Sequence, residues 1–177
     1  MSERYLEFLK SKIPQAESTG FEPTTPAHES LFPHQRDICE WACRGGRRAI
    51  FANFGLGKTR MHLQIAKWVT EKTGQRYLIV APLGVRQEFT RSDGPKMGLE
   101  IEYVRTNEEA KASQARILIT NYERVRDGDI DVAQFAGAGL DEASVLRGFG
   151  TKTYQSFLNL FRAVKYRFVF TATPSPN

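Results

Sequence analysis

The stretch FANFGLGKT, residues 51–59, decides how this chain reads. It continues a short apolar run, Ala49, Ile50 and Phe51, and passes through a glycine-bearing turn to a lysine and a hydroxyl. A strand, a turn and a helix start in that order form a phosphate-binding loop. Backbone N–H groups of the turn and the helix N-terminus face anionic oxygens, and the helix dipole adds partial positive charge there. Lys58 is placed to reach terminal phosphates, and the Thr59 hydroxyl to ligate a magnesium ion. Ala52 stands where the usual pattern begins with glycine, while Gly55 and Gly57 remain. The alternative is a chance glycine turn between a strand and a helix.

A phosphate loop of this kind needs an acidic partner at the end of another strand, because magnesium takes oxygen ligands and keeps several waters. The run LDEAS, residues 140–144, supplies one. Asp141 is expected to hold the metal, directly or through water. Glu142 is expected to orient and deprotonate an attacking water, help worth about 10²–10⁴ in rate. An exposed Asp-Glu pair opening a helix is the plainer reading of the same letters, and GLGKT upstream tips the balance. TATPSPN, residues 171–177, places threonine hydroxyls at a further strand end.

Outward from these sites, short continuous apolar runs recur: YLIVA (77–81), IEYV (101–104), ILIT (117–120) and FVFT (168–171). Runs of this kind separated by helical or loop stretches indicate a parallel sheet covered on both faces. The strand expected before Asp141, FAGAGL, is small and glycine-rich, and is kept because of the acidic pair it leads into. Pro33 opens a helix with Ile38, Trp41 and Ala42 as its stripe, ending at Gly45-Gly46. Met61, Ile65, Trp68 and Val69 mark the helix after the phosphate loop, and Tyr154, Phe157, Leu158 and Phe161 the last one. The expected fold is α/β, a three-layer α/β/α sandwich with a mainly parallel sheet. Residues 1–33 form a leader: a short helix carrying Tyr5, Leu6, Leu9 and Ile13, ended by Pro14, then a proline-rich passage with Phe21 as a packing anchor. Residues 34–177 form the phosphate-binding domain.

The chain has 177 residues, suited to one domain of ordinary size. No apolar run approaches a membrane span and the N-terminus lacks a signal-peptide core, so a cytoplasmic setting without a membrane partner is expected. Cys39 and Cys43, four apart on a helix, read as free thiols. A net charge of +5 is by itself weak evidence for a nucleic-acid partner.

Together, LFPHQ, GLGKT, LIVAPLGVRQEF, ILITNYERV, LDEAS and TATPSPN resemble, in order and rough spacing, the first RecA-like lobe of superfamily-two helicases and translocases. The similarity is to the Swi/Snf-like branch, particularly its phage-encoded members, with DExx-box lettering. The resemblance implies ATP and Mg²⁺ as ligands, with Asn53, Phe54, Gly55, Leu56, Gly57, Lys58 and Thr59 cradling the nucleotide and Gln35 contacting adenine. It implies catalytic roles for Lys58, Asp141 and Glu142. It makes Pro82, Leu83, Gly84 and Arg86 one nucleic-acid contact loop, and Thr120, Asn121, Tyr122 and Arg124 a second, with Arg126 nearby. Thr171 and Thr173 match the motif that couples the acidic pair to nucleic acid and to a second lobe. Ser144 replaces a more usual histidine or aspartate and keeps a hydroxyl for that coupling.

In the resembled family a second RecA-like lobe, carrying an arginine finger, follows in the same chain. The expectation is therefore an ATP-binding lobe of a nucleic-acid-dependent ATPase, with double-stranded DNA favoured, which binds nucleotide but turns it over poorly alone. The alternative is a stand-alone nucleotide-binding regulator or decoy that docks on a partner.

Overall fold

The structure, a computed structural model, describes residues 17–173 apart from the side chains of 147–153 and 156. The expected leader helix and the tail from Pro174 lie outside the described residues. The apolar runs become the strands of one sheet: β1 (Arg47–Phe51), β2 (Tyr77–Val80), β3 (Ile101–Tyr103), β4 (Ile117–Thr120), β5 (Gly137–Asp141) and β6 (Tyr166–Thr171). They pair in the order β1-β6-β5-β2-β4-β3, every pair parallel. No helix among the described residues is long and apolar enough to cross a membrane.

Because alternate residues of a strand face opposite sides, the sheet builds two cores. Tyr77, Ile79, Ile117, Ile119, Phe168 and Phe170 face α1 (Pro33–Gly45) and α2 (Lys58–Thr73). Leu78, Val80, Leu118, Ala138 and Leu140 face the opposite layer. That layer contains α3 (Asn107–Ala112), α4 (Tyr122–Arg126) and α5 (Gly150–Arg162). The result is the three-layer sandwich. Residues after β2 run through a short turn at Leu83–Val85 into a π-helical stretch, Glu88–Asp93, whose Phe89 is fully buried on the α2 side.

Two apolar stripes differ from the periodicity. Ala42 is buried and Ile38 packs against the core as expected, but Trp41 is 48% exposed and lies under the Arg48 guanidinium, and α1 also buries Gln35, Cys39 and Cys43. On α5, Phe157 and Phe161 enter the core, but Tyr154 and Leu158 stay at the rim of a second, mostly apolar cleft with Phe51 and Val169. The leader does anchor: Phe21 is buried edge-on against the Tyr166 ring. The N–H groups of Thr19, Gly20 and Phe21 donate to the Gly45, Arg44 and Cys43 carbonyls, satisfying the last turn of α1. Cys39 and Cys43 are free and buried, and burial pushes the Cys43 thiol up to about 12.

The weak-looking strand β5 is weak for a reason. A Cβ at Gly139 would lie 2.1 Å from His62 Nε2 and 2.5 Å from the Tyr77 hydroxyl, and one at Gly137 would press on Tyr77 and Val69. Glycine here lets α2 settle against the sheet. Gly139→Ala is therefore expected to lose about 1–3 kcal/mol or more of stability in urea unfolding. Gly84→Ala, with open space around it, should stay within about 0.5 kcal/mol.

Candidate nucleotide site

Parallel strands deliver their C-terminal ends to one edge, and the sequence motifs collect there. The register sets Phe51 beside Thr171 and Asp141 beside Phe170. After β1 the chain turns through Gly55 and Gly57, both at positive φ (79° and 74°), and enters α2 at Lys58. Gly57 is required twice over: a Cβ there would also sit 2.4 Å from Gln35 Nε2. Gln35 is buried and tied on both sides. Its Oε1 accepts from the Phe32 N–H at 2.9 Å, and its Nε2 donates to the Leu56 carbonyl at 2.9 Å. It thus braces the loop, with one N–H and one lone pair beyond these bonds.

The Lys58 ammonium curls back to donate to the Ala52 and Asn53 carbonyls at 3.0 and 3.4 Å, 5.0 Å from the exposed Phe54 ring. The Thr59 hydroxyl donates to Glu88 Oε1 at 2.9 Å, and Arg60 pairs with Asp93 at 3.3 Å. Opposite stand Asp141 and Glu142. These groups line one cleft of about 500 Å³, which Phe32 and Val85 also border.

Asp141 is 6% exposed, and its Oδ1 has no hydrogen-bond partner among the described residues. Burial is the main cause that raises its carboxyl to about 7. The charges of Glu142 and Glu88 add to the rise, and Lys58 opposes it. His62 Nδ1 lies 4.0 Å away, too far for a hydrogen bond. The ring stacks on Phe170 in full burial, which holds it down to about 3 and hence neutral. The backbone carbonyl of Asp141 is fixed by the Tyr122 hydroxyl at 2.7 Å.

Glu142 has φ +49°, unusual for a residue with a side chain. Its Oε1 accepts from the Ser144 hydroxyl at 2.5 Å and lies 3.4 Å from the Thr171 hydroxyl. The Thr173 N–H donates to Thr171 Oγ1 at 3.2 Å, so Ser144, Thr171 and Thr173 form one chain ending on Glu142.

The donor set fits a hard cation accompanied by phosphate. Thr59, Asp141 and Glu142 offer oxygen only, as magnesium prefers. Among the described residues no cluster of His, Cys, Asp and Glu is sufficient to hold a metal alone. A cation here would complete its shell with nucleotide oxygens, and the unpartnered Asp141 Oδ1 is the atom it would satisfy.

The two proposed contact loops also meet. Leu83 is exposed beside Gly84 and Pro82, and Arg86 lies over the Tyr103 ring at 4.6 Å. The Tyr103 hydroxyl donates to Asn121 Oδ1 at 3.1 Å. Arg124 pairs with Asp129 at 2.8 Å and Arg126 with Asp127 at 2.8 Å. Thr120 and Tyr122 point elsewhere: both are buried, with hydroxyls donated to the Val104 and Asp141 carbonyls. Sequence reasoning did not single out Glu88, His62 or Tyr103. The first stood within LGVRQEF as an acid just before a buried phenylalanine; the other two read as ordinary residues of a helix and a strand.

No family model matches the sequence, and no curated protein sequence matches it. Solved structures do. The chain is similar to the SWI2/SNF2 ATPase core of Sulfolobus solfataricus, solved in complex with dsDNA, at 21% identity and TM-score 0.64, covering 87% of this chain and 35% of that one. It is similar to the UvsW helicase of bacteriophage T4 in two structures, both at TM-score 0.67 and both covering 98% of this chain. Their identities are 15% and 14%, and the shares of the UvsW chains covered are 61% and 35%. This chain thus spans about a third to three fifths of those lengths. The likeness is one of fold, a RecA-like α/β lobe.

Asp141 makes stability depend on pH. Its folded carboxyl titrates near 7 against an ordinary 3.8, so the unfolded chain ionises first and stability falls as pH rises from about 4 to about 7. Asp141→Asn removes that loss. The variant should exceed the wild type by about 2–4 kcal/mol at pH 8 and lose the advantage by pH 4, as measured by urea unfolding across that range.

Proposed function

We propose that this chain is the ATP-binding lobe of a nucleic-acid-dependent ATPase of helicase or translocase type, acting on double-stranded DNA in the cytoplasm. Glu142 carries the reading. It is a left-handed residue at the end of a parallel strand, holding a hydroxyl chain across the cleft from a lysine–threonine pair at a helix N-terminus. Strain of that kind persists where function uses it.

In this reading the N–H groups of the glycine turn and the start of α2 receive phosphate oxygens. Lys58 exchanges the Ala52 and Asn53 carbonyls for the terminal phosphate, and the remaining donor and acceptor of Gln35 read the adenine edge. Thr59 and Asp141 would hold Mg²⁺, which would neutralise charge on the phosphate oxygens. Glu142 takes a proton from water. The water oxygen bonds to the terminal phosphorus as the bond to the bridging oxygen breaks, and ADP leaves with that electron pair.

Ser144 and Thr171 fix the Glu142 carboxylate, so movement of the strand end that carries Thr171 and Thr173 reaches the base directly. The loop with Pro82, Leu83, Gly84 and Arg86, linked through Tyr103 to Asn121 and Arg124, contacts the DNA backbone. The similarity to a SWI2/SNF2 core solved with dsDNA supports that choice of partner. A second RecA-like lobe supplies an arginine to the open side of the cleft, worth about 10³–10⁵ in turnover.

Lys58→Ala should weaken ATP and ADP binding by at least about tenfold in a fluorescent-nucleotide titration; unchanged affinity would remove the loop assignment. Glu142→Gln should keep nucleotide affinity within a few-fold and abolish DNA-stimulated phosphate release when the second lobe is in place. For Arg86→Ala, DNA affinity should drop and the slope of log K against log salt should shrink by about 1.

A further inference from the structure

The nucleotide-site reading leaves one contact unused: the bond from the Thr59 hydroxyl to Glu88 Oε1 at 2.9 Å. A hydroxyl has one proton to give and two lone pairs to offer. With its proton taken by a carboxylate, Thr59 keeps its lone pairs for a cation. Left without an acceptor, the hydroxyl could turn its proton toward the metal position instead.

The segment carrying Glu88 is built to hold this contact. Glu88 and Asp93 are the two ends of the π-helical stretch, and both bind the first turn of α2, Glu88 at Thr59 and Asp93 at Arg60. In an α-helix, residues five apart lie roughly 140° around the axis. The i→i+5 hydrogen bonding of a π turn brings them to one face, and such turns are concentrated at functional sites. Phe89, between them, is buried against the His62 ring at 5.7 Å, which sets the depth of the segment. Glu88 also borders the cleft with Lys58, Asp141 and Glu142.

We propose that Glu88 is a positioning residue for the metal–nucleotide site, accepting the Thr59 hydroxyl proton so that the oxygen faces the nucleotide's divalent cation. This rests on the nucleotide reading above. Because Glu88 follows Arg86 by two residues, it also ties the proposed DNA-contact loop to the metal ligand by a short covalent path.

The test is ADP binding by calorimetry, with magnesium and with EDTA, on the whole chain. Glu88→Ala should cost about tenfold in affinity with magnesium and stay within about twofold in EDTA. Glu88→Gln, which keeps a carbonyl acceptor, should stay within about threefold in both. In a Thr59→Val background, Glu88→Ala should have no further magnesium-specific effect. Glu88→Asp, a methylene short of the hydroxyl, should show the same selective loss and serves if the alanine variant does not fold. An equal loss in both buffers, or none with magnesium, overturns the inference while leaving the nucleotide site in place. A wild-type chain that binds no ADP in either buffer overturns the nucleotide reading and this inference with it.

Discussion

One end of the sheet is organised around a buried carboxyl group, that of Asp141. Asp141 ends a central strand with an oxygen that nothing among the described residues satisfies, and the neutral His62, 4.0 Å away, is too distant to bond. A charge in such a place is disfavoured, and the carboxyl is pushed up to about 7. The surrounding groups bond elsewhere. Lys58 leans on backbone carbonyls rather than on Asp141, and Thr59 leans on Glu88. Tyr122 steadies the Asp141 main chain without touching its carboxylate. The cleft is therefore ordered around a buried carboxyl oxygen that no described side chain bonds.

Parallel topology turns that local arrangement into a connected one. Because every strand ends at the same edge, the phosphate loop, the acidic pair and the two basic loops lie side by side without any long excursion of the chain. Tyr103 joins Arg86 to Asn121 across three strand ends, and the Ser144–Glu142–Thr171 chain joins two more. The π-helical stretch bridges these groups, since it begins beside Arg86 and grips the start of α2 at both of its ends.

Much of this was legible in the sequence. The apolar runs gave every strand except β5, most plainly β2 and β4, which are buried throughout and apolar for that reason. GLGKT and LDEAS gave the two halves of the cleft, because glycine, lysine, hydroxyl and carboxylate at strand ends have few other uses together. The remainder is long-range. FAGAGL looked poor because the side chains that fill its space belong to α2 and β2. Trp41 and Leu158 fitted a helical stripe, yet which flank of a stripe is covered depends on neighbours that periodicity does not name. The burial of Thr120 and Tyr122, and the bond from Thr59 to Glu88, depend on contacts between residues 16 to 29 positions apart.

The glycines of β5 bear on how such a sequence can drift. Ala52, where the usual phosphate-loop pattern has glycine, places its methyl group in the core. At Gly139 an added methyl meets His62 and Tyr77, and His62 sits three residues beyond Thr59 on the same helix. A substitution there displaces the helix that presents Lys58 and Thr59. Folding and ligand geometry therefore cannot be selected separately at that position. The strand with the faintest signature is the one whose mutational neighbourhood is narrowest.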